Sequence, residues 1–310
     1  MDRKLVSIIL SLVAVLVFFL GIVWIGGQIN PSLKLDETGV LRFAFVGIGL
    51  LIVFVVYLLT RQSKIWEVGT REVVYMAIGA ALYAVLCFLF NGTVFAVPSV
   101  SQVALRPAVA IPMFFGYAFG PAVGLFTGAV GNMFGDALTG FGLSPQWSVG
   151  NGLIGMVAGM ALLFKDRKKG INSVLLISLV LAVIATLFFF LNRDTANTMF
   201  YDVENGIFGD QQISLFAGLS IVIGFILVLI VRLVFTKNID VAAAVTWSML
   251  GNILGIGFAA ISDIWINGFP PAVAIVGEFL PSAGPNLIFA AILVPLLVAA
   301  YAAVQRQTGR

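Results

Sequence analysis

Little in this chain could do chemistry. Its 310 residues include no histidine and one cysteine, Cys87, which sits inside an apolar run. Histidine-based catalysis, a Cys/His metal site and an intrachain disulfide are therefore excluded. No G-x-x-x-x-G-K-[S/T] run occurs, so no P-loop cradles nucleotide phosphates and any ATP must be handled by another subunit. What remains is a small set of polar residues in apolar surroundings: Arg106, Asn132, Asp136, Trp147, Asn151, Asn252, Asp263 and Asn286. Carboxamides, carboxylates, a guanidinium and an indole N–H can orient a ligand. Without an activated nucleophile or a ladder of membrane carboxylates and histidines, they suit recognition and not conversion or proton relay. No catalytic residue, metal or cofactor is expected.

The elements that position these residues are read from composition. Of the residues, 61% are hydrophobic and 10% charged, against roughly 45–50% and 25% in soluble domains. Charges fall in short clusters and leave windows long enough to cross a hydrocarbon core of about 30 Å. The sequence predicts an all-α integral membrane protein with about ten spanning helices, near 5–26, 41–60, 71–90, 104–119, 121–138, 148–164, 171–191, 213–235, 241–262 and 284–304. The pair 104–119 and 121–138 is parted only by Phe119-Gly120-Pro121, and one broken or re-entrant segment is the alternative. The first apolar stretch is too long for a secretory signal and lacks a good small-x-small cleavage site, so a retained helix is expected.

With the N-terminus in the cytoplasm, 13 of the 17 Lys and Arg residues fall inside and only Lys34, Arg42, Arg106 and Arg193 outside. Both termini are then cytoplasmic. The net charge of +3 is scattered over short loops, which sets topology and makes no nucleic-acid surface.

Depth follows from a rise of 1.5 Å per residue. Asp136 lies roughly 23 Å up its helix, near the outer interface. Arg106, Trp147, Asn151 and Asn286 start helices that run inward, and Asp263 ends one that runs outward, so all share the outer level. Asn132 and Asn252 fall nearer the middle, in Gly-Asn-x-x-Gly runs, where bonding between helices competes with a ligand role. Trp147 could also be an interfacial anchor. The opening turns of 104–119, 148–164 and 284–304 would favour anionic ligand groups, whereas Asp136, Asp263 and Glu278 favour cations. Ligand charge is left open. On helix 71–90, Ala77, Ala80, Ala81 and Ala84 recur at i, i+3, i+4 and i+7 and form a small-residue face, for packing within the chain or for docking a partner helix.

The runs Leu105-Arg106-Pro107-Ala108-Val109-Ala110-Ile111-Pro112 and Phe119-Gly120-Pro121-Ala122-Val123-Gly124, then Gly128, Asp136 and Asn151-Gly152-Leu153-Ile154-Gly155, resemble the substrate-binding S components of energy-coupling factor (ECF) transporters. Gly251-Asn252 through Asp263 and Pro281 to Pro285-Asn286 and Pro295 look like the last two helices of the same core. The resemblance covers about 71–164 and 241–310. It implies a six-helix core, here extended by a transmembrane hairpin in 1–62 and by a helix pair at about 171–235 inserted into a core of 63–310.

The resemblance further implies capture of a vitamin or related micronutrient at the outer face of a prokaryotic cell membrane. ATP-driven uptake would need a membrane coupling subunit and two cytoplasmic ATPases. It places the pocket at Asn151, Asn252, Asp263, Asn286 and the segment 91–103, and it assigns coupling-subunit docking to an Ala-x-x-x-Ala pattern that maps onto Ala77 and Ala81, with Ala80 and Ala84 repeating the spacing. An ion-coupled secondary transporter is the principal alternative, and a membrane enzyme the second.

Overall fold

In lipid, every backbone polar group of a spanning segment has to be paired within the segment, so long apolar runs resolve as helices. The computed structural model describes residues 3–90, 106–139, 142–193, 197–202, 207–211 and 214–308. Among them are ten α-helices: α1 Arg3–Ile29, α2 Gly39–Thr60, α3 Thr70–Phe90, α4 Ala110–Phe119, α5 Pro121–Thr139, α6 Pro145–Gly159, α7 Arg167–Asn192, α8 Leu215–Val234, α9 Ile239–Ile266 and α10 Leu280–Gln307. Seven helical stretches are long and apolar enough to cross a membrane: α1, α2, α3, α7, α8, α9, and α10 together with the turn that leads into it. The chain is a multi-pass membrane protein.

The remaining three, α4, α5 and α6, form the centre. Almost every residue of α5 and α6 is buried, because protein and not lipid surrounds them. Glycine permits their close approach: a Cβ on Gly155 would stand 2.2 Å from the Gly124 carbonyl oxygen, and one on Gly128 would stand 2.1 Å from that of Asn151. Gly120, at φ 106°, separates α4 from α5 in a conformation other residues avoid. Two helices meet at this turn, and α4, with ten residues and a length of about 15 Å, covers only part of a hydrocarbon core.

Around this centre α1 packs on α5, α2 on α6, α3 on α5, α9 on α6, and α10 on α8 and α9. The outward faces are bare hydrocarbon, as on Leu59 and Leu191, which are 80% and 82% exposed. Side-chain caps start several helices. Asp166 accepts from the Lys169 N–H, Ser214 from that of Ala217 and Asn238 from that of Val241. Between α7 and α8, β1 Asn197–Asp202 pairs antiparallel with β2 Ile207–Gln211, the only sheet among the described residues.

Two departures from the expected boundaries matter. α6 begins at Pro145, so Gln146 and Trp147 lie in its first turn. Helix 284–304 extends back through a widened π-helical stretch, Val273–Phe279, that runs directly into α10. Its opening turn at 284 is thus mid-helix, with no free N–H groups to hold an anion.

Candidate functional site

Helices α2, α4, α6 and α10 start, and α5 and α9 end, at one end of the bundle, where they surround a cavity of about 620 Å³. The opposite end gathers Arg3, Lys4, Lys64, Glu67, Arg71 and Gly120. There Tyr117 donates to Asp240 at 2.9 Å and accepts from Arg167 at 2.8 Å. The two ends thus separate the few basic residues expected outside from the many expected inside.

Six of the seven residues singled out in the sequence as ligand contacts line the cavity: Arg106, Asp136, Trp147, Asn151, Asp263 and Asn286. They form three linked groups. In the first, Arg106 donates to Asn132 Oδ1 at 2.7 Å and pairs with Asp136 at 3.3 Å, while Asn132 Nδ2 donates to Asp136 at 2.9 Å and to Ser148 at 3.0 Å. Asn132 is buried behind this wall as the bond between helices that its mid-membrane position suggested. In the second, Tyr83 donates to Asn151 Oδ1 at 2.8 Å and Asn151 Nδ2 to the Trp147 carbonyl at 3.0 Å. In the third, Asp263 accepts from Gln146 Nε2 at 3.0 Å and from Trp147 Nε1 at 2.7 Å. The indole therefore fixes a carboxylate in addition to any anchoring at the interface.

The seventh, Asn252, does not reach the cavity. It is buried, donates to the Ala283 carbonyl at 2.8 Å and accepts from Asn286 Nδ2 at 3.0 Å, so it orients Asn286 from behind. The segment 91–103, also expected in the pocket, lies outside the described residues.

Further lining residues were not assigned to the pocket, although Glu278 was named in the sequence as a carboxylate favouring cations. Glu278 comes from the π-helical stretch, Gln146 from the first turn of α6, and Thr38 and Arg42 from the N-terminal hairpin. Arg42 Nε donates to Thr38 at 2.8 Å and Nη2 to Asn267 at 3.3 Å, tying α2 to the end of α9. A carboxylate in the otherwise apolar run Ala272–Phe279 was the available signal for Glu278, but it falls before the expected start of the last helix. Two buried oxygens in the wall, Gln146 Oε1 and Glu278 Oε2, have no partner among the described residues. Each such atom costs about 1–3 kcal/mol, which a ligand donor would recover. Among the described residues no group of three or more His, Cys, Asp or Glu could hold a metal ion.

A second recess, about 760 Å³, runs along α3 between α1 and α5. Ala77, Ala80, Ala81 and Ala84 all line it, but they divide: Ala80 and Ala84 are buried and Ala77 and Ala81 exposed. Gly131 of α5 lies closer to Ala80 than a Cβ would allow, and Gly135 lies that close to Cys87, one turn beyond Ala84 on the same helix. The small-residue face therefore serves packing within the chain through one pair and leaves the other free.

Residues 67–196 match the profile of the family described as ECF-type riboflavin transporter, S component. Similar curated proteins include a UPF0397 protein of Vibrio atlanticus, 38% identical over 93 residues that cover 30% of this chain and 48% of the relative. One from Aliivibrio salmonicida is 32% identical over 103 residues, 33% of this chain and 54% of the relative. One from Streptococcus pneumoniae is 34% identical over 104 residues, 34% and 53% of the two chains. The chain spans about half the length of the curated relatives it matches. No solved structure matches it significantly. Across residues 67–196, which build α3 to α7 and one wall of the cavity, the chain bears the family likeness of an ECF transporter S component.

Proposed function

We propose that this chain is the substrate-binding subunit of an ECF-type importer, and that the cavity captures a vitamin or related micronutrient from the outer face. The observation that carries this reading is the concentration of polar groups, two with unpartnered oxygens, around one cavity at one end of an otherwise apolar bundle. A few convergent polar groups in a recess of this size suit a small hydrophilic ligand. The excess of Lys and Arg at the other end supports an outward-facing cavity with cytoplasmic termini.

In this reading a membrane coupling subunit and two ATPases power release. The partner helix meets the exposed Ala77 and Ala81, where small side chains allow close packing. The N-terminal hairpin, 1–62, and the pair within 171–235 are additions to a core of 63–310, and the hairpin contributes to the mouth through Thr38 and Arg42.

The test is purification from a vitamin-replete host, mass spectrometry of the released small molecule, and uptake of that molecule by vesicles. Uptake that requires the coupling subunit, the ATPases and ATP is expected. Ion-driven uptake by this chain alone would replace the proposal with a secondary carrier.

A further inference from the structure

The cavity wall is not balanced in charge or in hydrogen bonding. Its arginine at the α4–α5 side is matched, because Arg106 is paired with Asp136 and bonded to Asn132. The α6–α9–α10 side is not. There Asp263 and Glu278 stand against each other, and neither has a Lys or Arg within ion-pair distance among the described residues.

Five buried side-chain oxygens lack a partner among the described residues: three hydroxyls (Thr127, Ser178 and Ser248), none of which lines the cavity, and the two cavity acceptors Gln146 Oε1 and Glu278 Oε2. Gln146 is fully buried and Glu278 is 6% exposed. Its Nε2 already donates to Asp263, so Gln146 has only its oxygen to offer. Asp263 and Glu278 are hydrogen-bonded to each other and so share one proton, which leaves the pair one negative charge and, with the carboxamide fixed in that sense, leaves acceptors as the corner's unpartnered atoms.

We propose that the cavity is built for a ligand that presents a nitrogen cation or a cluster of N–H donors, as an amine or amidine does, to the corner formed by Gln146, Asp263 and Glu278. This rests on the binding-subunit reading of the same cavity and specifies its substrate class. A ligand carboxylate or phosphate in this corner would meet the negative charge of the carboxyl pair and a carbonyl oxygen, and would leave the free acceptors unpaired. A nitrogen with several N–H groups satisfies the free oxygens and brings a positive charge within ion-pair distance of Asp263, which Arg42 on the same wall reaches only from farther away. A bare metal ion is a poorer fit, since the corner offers two carboxylates and one amide oxygen and no third ionisable ligand.

The test compares benzamidine with benzoate, two planar probes of similar size and opposite charge, on the purified full chain in detergent. Binding is followed by the thermal unfolding midpoint at low millimolar probe. Benzamidine is expected to raise the midpoint and benzoate to leave it unchanged. The Asp263→Asn, Glu278→Gln double variant should bind benzamidine roughly tenfold or more weakly.

The wild-type comparison needs no variant, so a double variant that fails to fold does not block the result. Equal shifts, a larger shift with benzoate, or no shift with either probe overturns the assignment. The copurified molecule separates this outcome from failure of the functional reading. An anionic nutrient taken up with ATP would sink the polarity assignment and leave the binding-subunit reading standing, whereas a chain that yields no ligand and supports no uptake would sink the latter.

Discussion

The two recesses of the molecule are close in size, about 620 and 760 Å³, and opposite in character. The cavity at the bundle end is walled by arginines, carboxylates, carboxamides and an indole, and it closes on oxygens with no partner. The groove along α3 is walled by alanine, valine, leucine and phenylalanine, with two serines at one end. Volume therefore does not tell them apart, and polarity does. Buried polar atoms are costly unless satisfied, so a protein that leaves them around a cavity is organised for a polar occupant. A groove without such atoms offers only shape, which in lipid suits a helix that packs closely. One molecule thus separates what is recognised from what is touched.

The largest expected effect breaks the groove and spares the cavity. In an Ala77→Trp, Ala81→Trp double variant two indoles fill the free face of α3, and ATP-dependent uptake should fall to background while ligand affinity stays as in the wild type. Normal uptake by that stable variant would remove the docking surface. The reverse experiment spares the groove. Asn151→Ala or Asn286→Ala should weaken ligand binding roughly 5- to 150-fold, the equivalent of about 1–3 kcal/mol, with the coupling subunit still retained in pull-down. Equal loss of binding and of partner retention would mean that the two recesses are not independent.

A smaller contrast lies within the groove itself. Ala80→Leu and Ala84→Leu add bulk at buried positions, the first where Gly131 already leaves no room for a Cβ, and should cost about 1–3 kcal/mol through overpacking. Ala77→Leu and Ala81→Leu, on exposed positions, should stay within about 0.5 kcal/mol. Unfolding midpoints of the four variants read this difference directly. Four equal midpoints would contradict the division of the stripe into a packed and a free pair.

Much of this arrangement is legible before the fold is known. Apolar run length places the long helices, and charge asymmetry with the helical rise brings Arg106, Asp136, Trp147, Asn151, Asp263 and Asn286 to one level, where they line one cavity. Asn252 and Asp263 are separated on α9 by about 20° in azimuth and about 16 Å in depth, so Asn252, which only the family resemblance put in the pocket, lies on Asp263's face but deeper, against Ala283 and Asn286. The pair 104–119 and 121–138 reads ambiguously because only Phe119-Gly120-Pro121 parts two short runs, and the glycines of α5 and α6 are explained only once nearly all of both helices is seen to be enclosed by protein. Glu278 was set outside the last helix because Pro281 and Pro285 suggest a helix start, and the sequence carries no mark of the π-helical turn that continues through them. The partition of four alanines into two faces depends on where α5 sits, which no local pattern states.

The smallest effect tests whether the N-terminal hairpin belongs to the cavity or merely borders it. Arg42 is the natural probe. It lies at the start of α2, bonds Thr38 and Asn267 and stands 3.8 Å from Asp36, whose carboxyl the Thr38 hydroxyl holds below its usual range. Asp36 is largely exposed, so this cluster is screened and each link in it contributes no more than about 1 kcal/mol. Arg42→Ala should therefore leave the fold intact and change ligand affinity by only about two- to fivefold. The sign is informative. An Arg42 that only clamps α2 to the end of α9 should weaken binding when lost, whatever the ligand's charge and with little dependence on salt. An Arg42 felt as charge by a cationic ligand should instead repel it, so its loss would tighten binding, more at low ionic strength than at high. Affinities of wild type and Arg42→Ala at two salt concentrations separate these cases. Identical affinities at both would place the hairpin beside the cavity without a part in it.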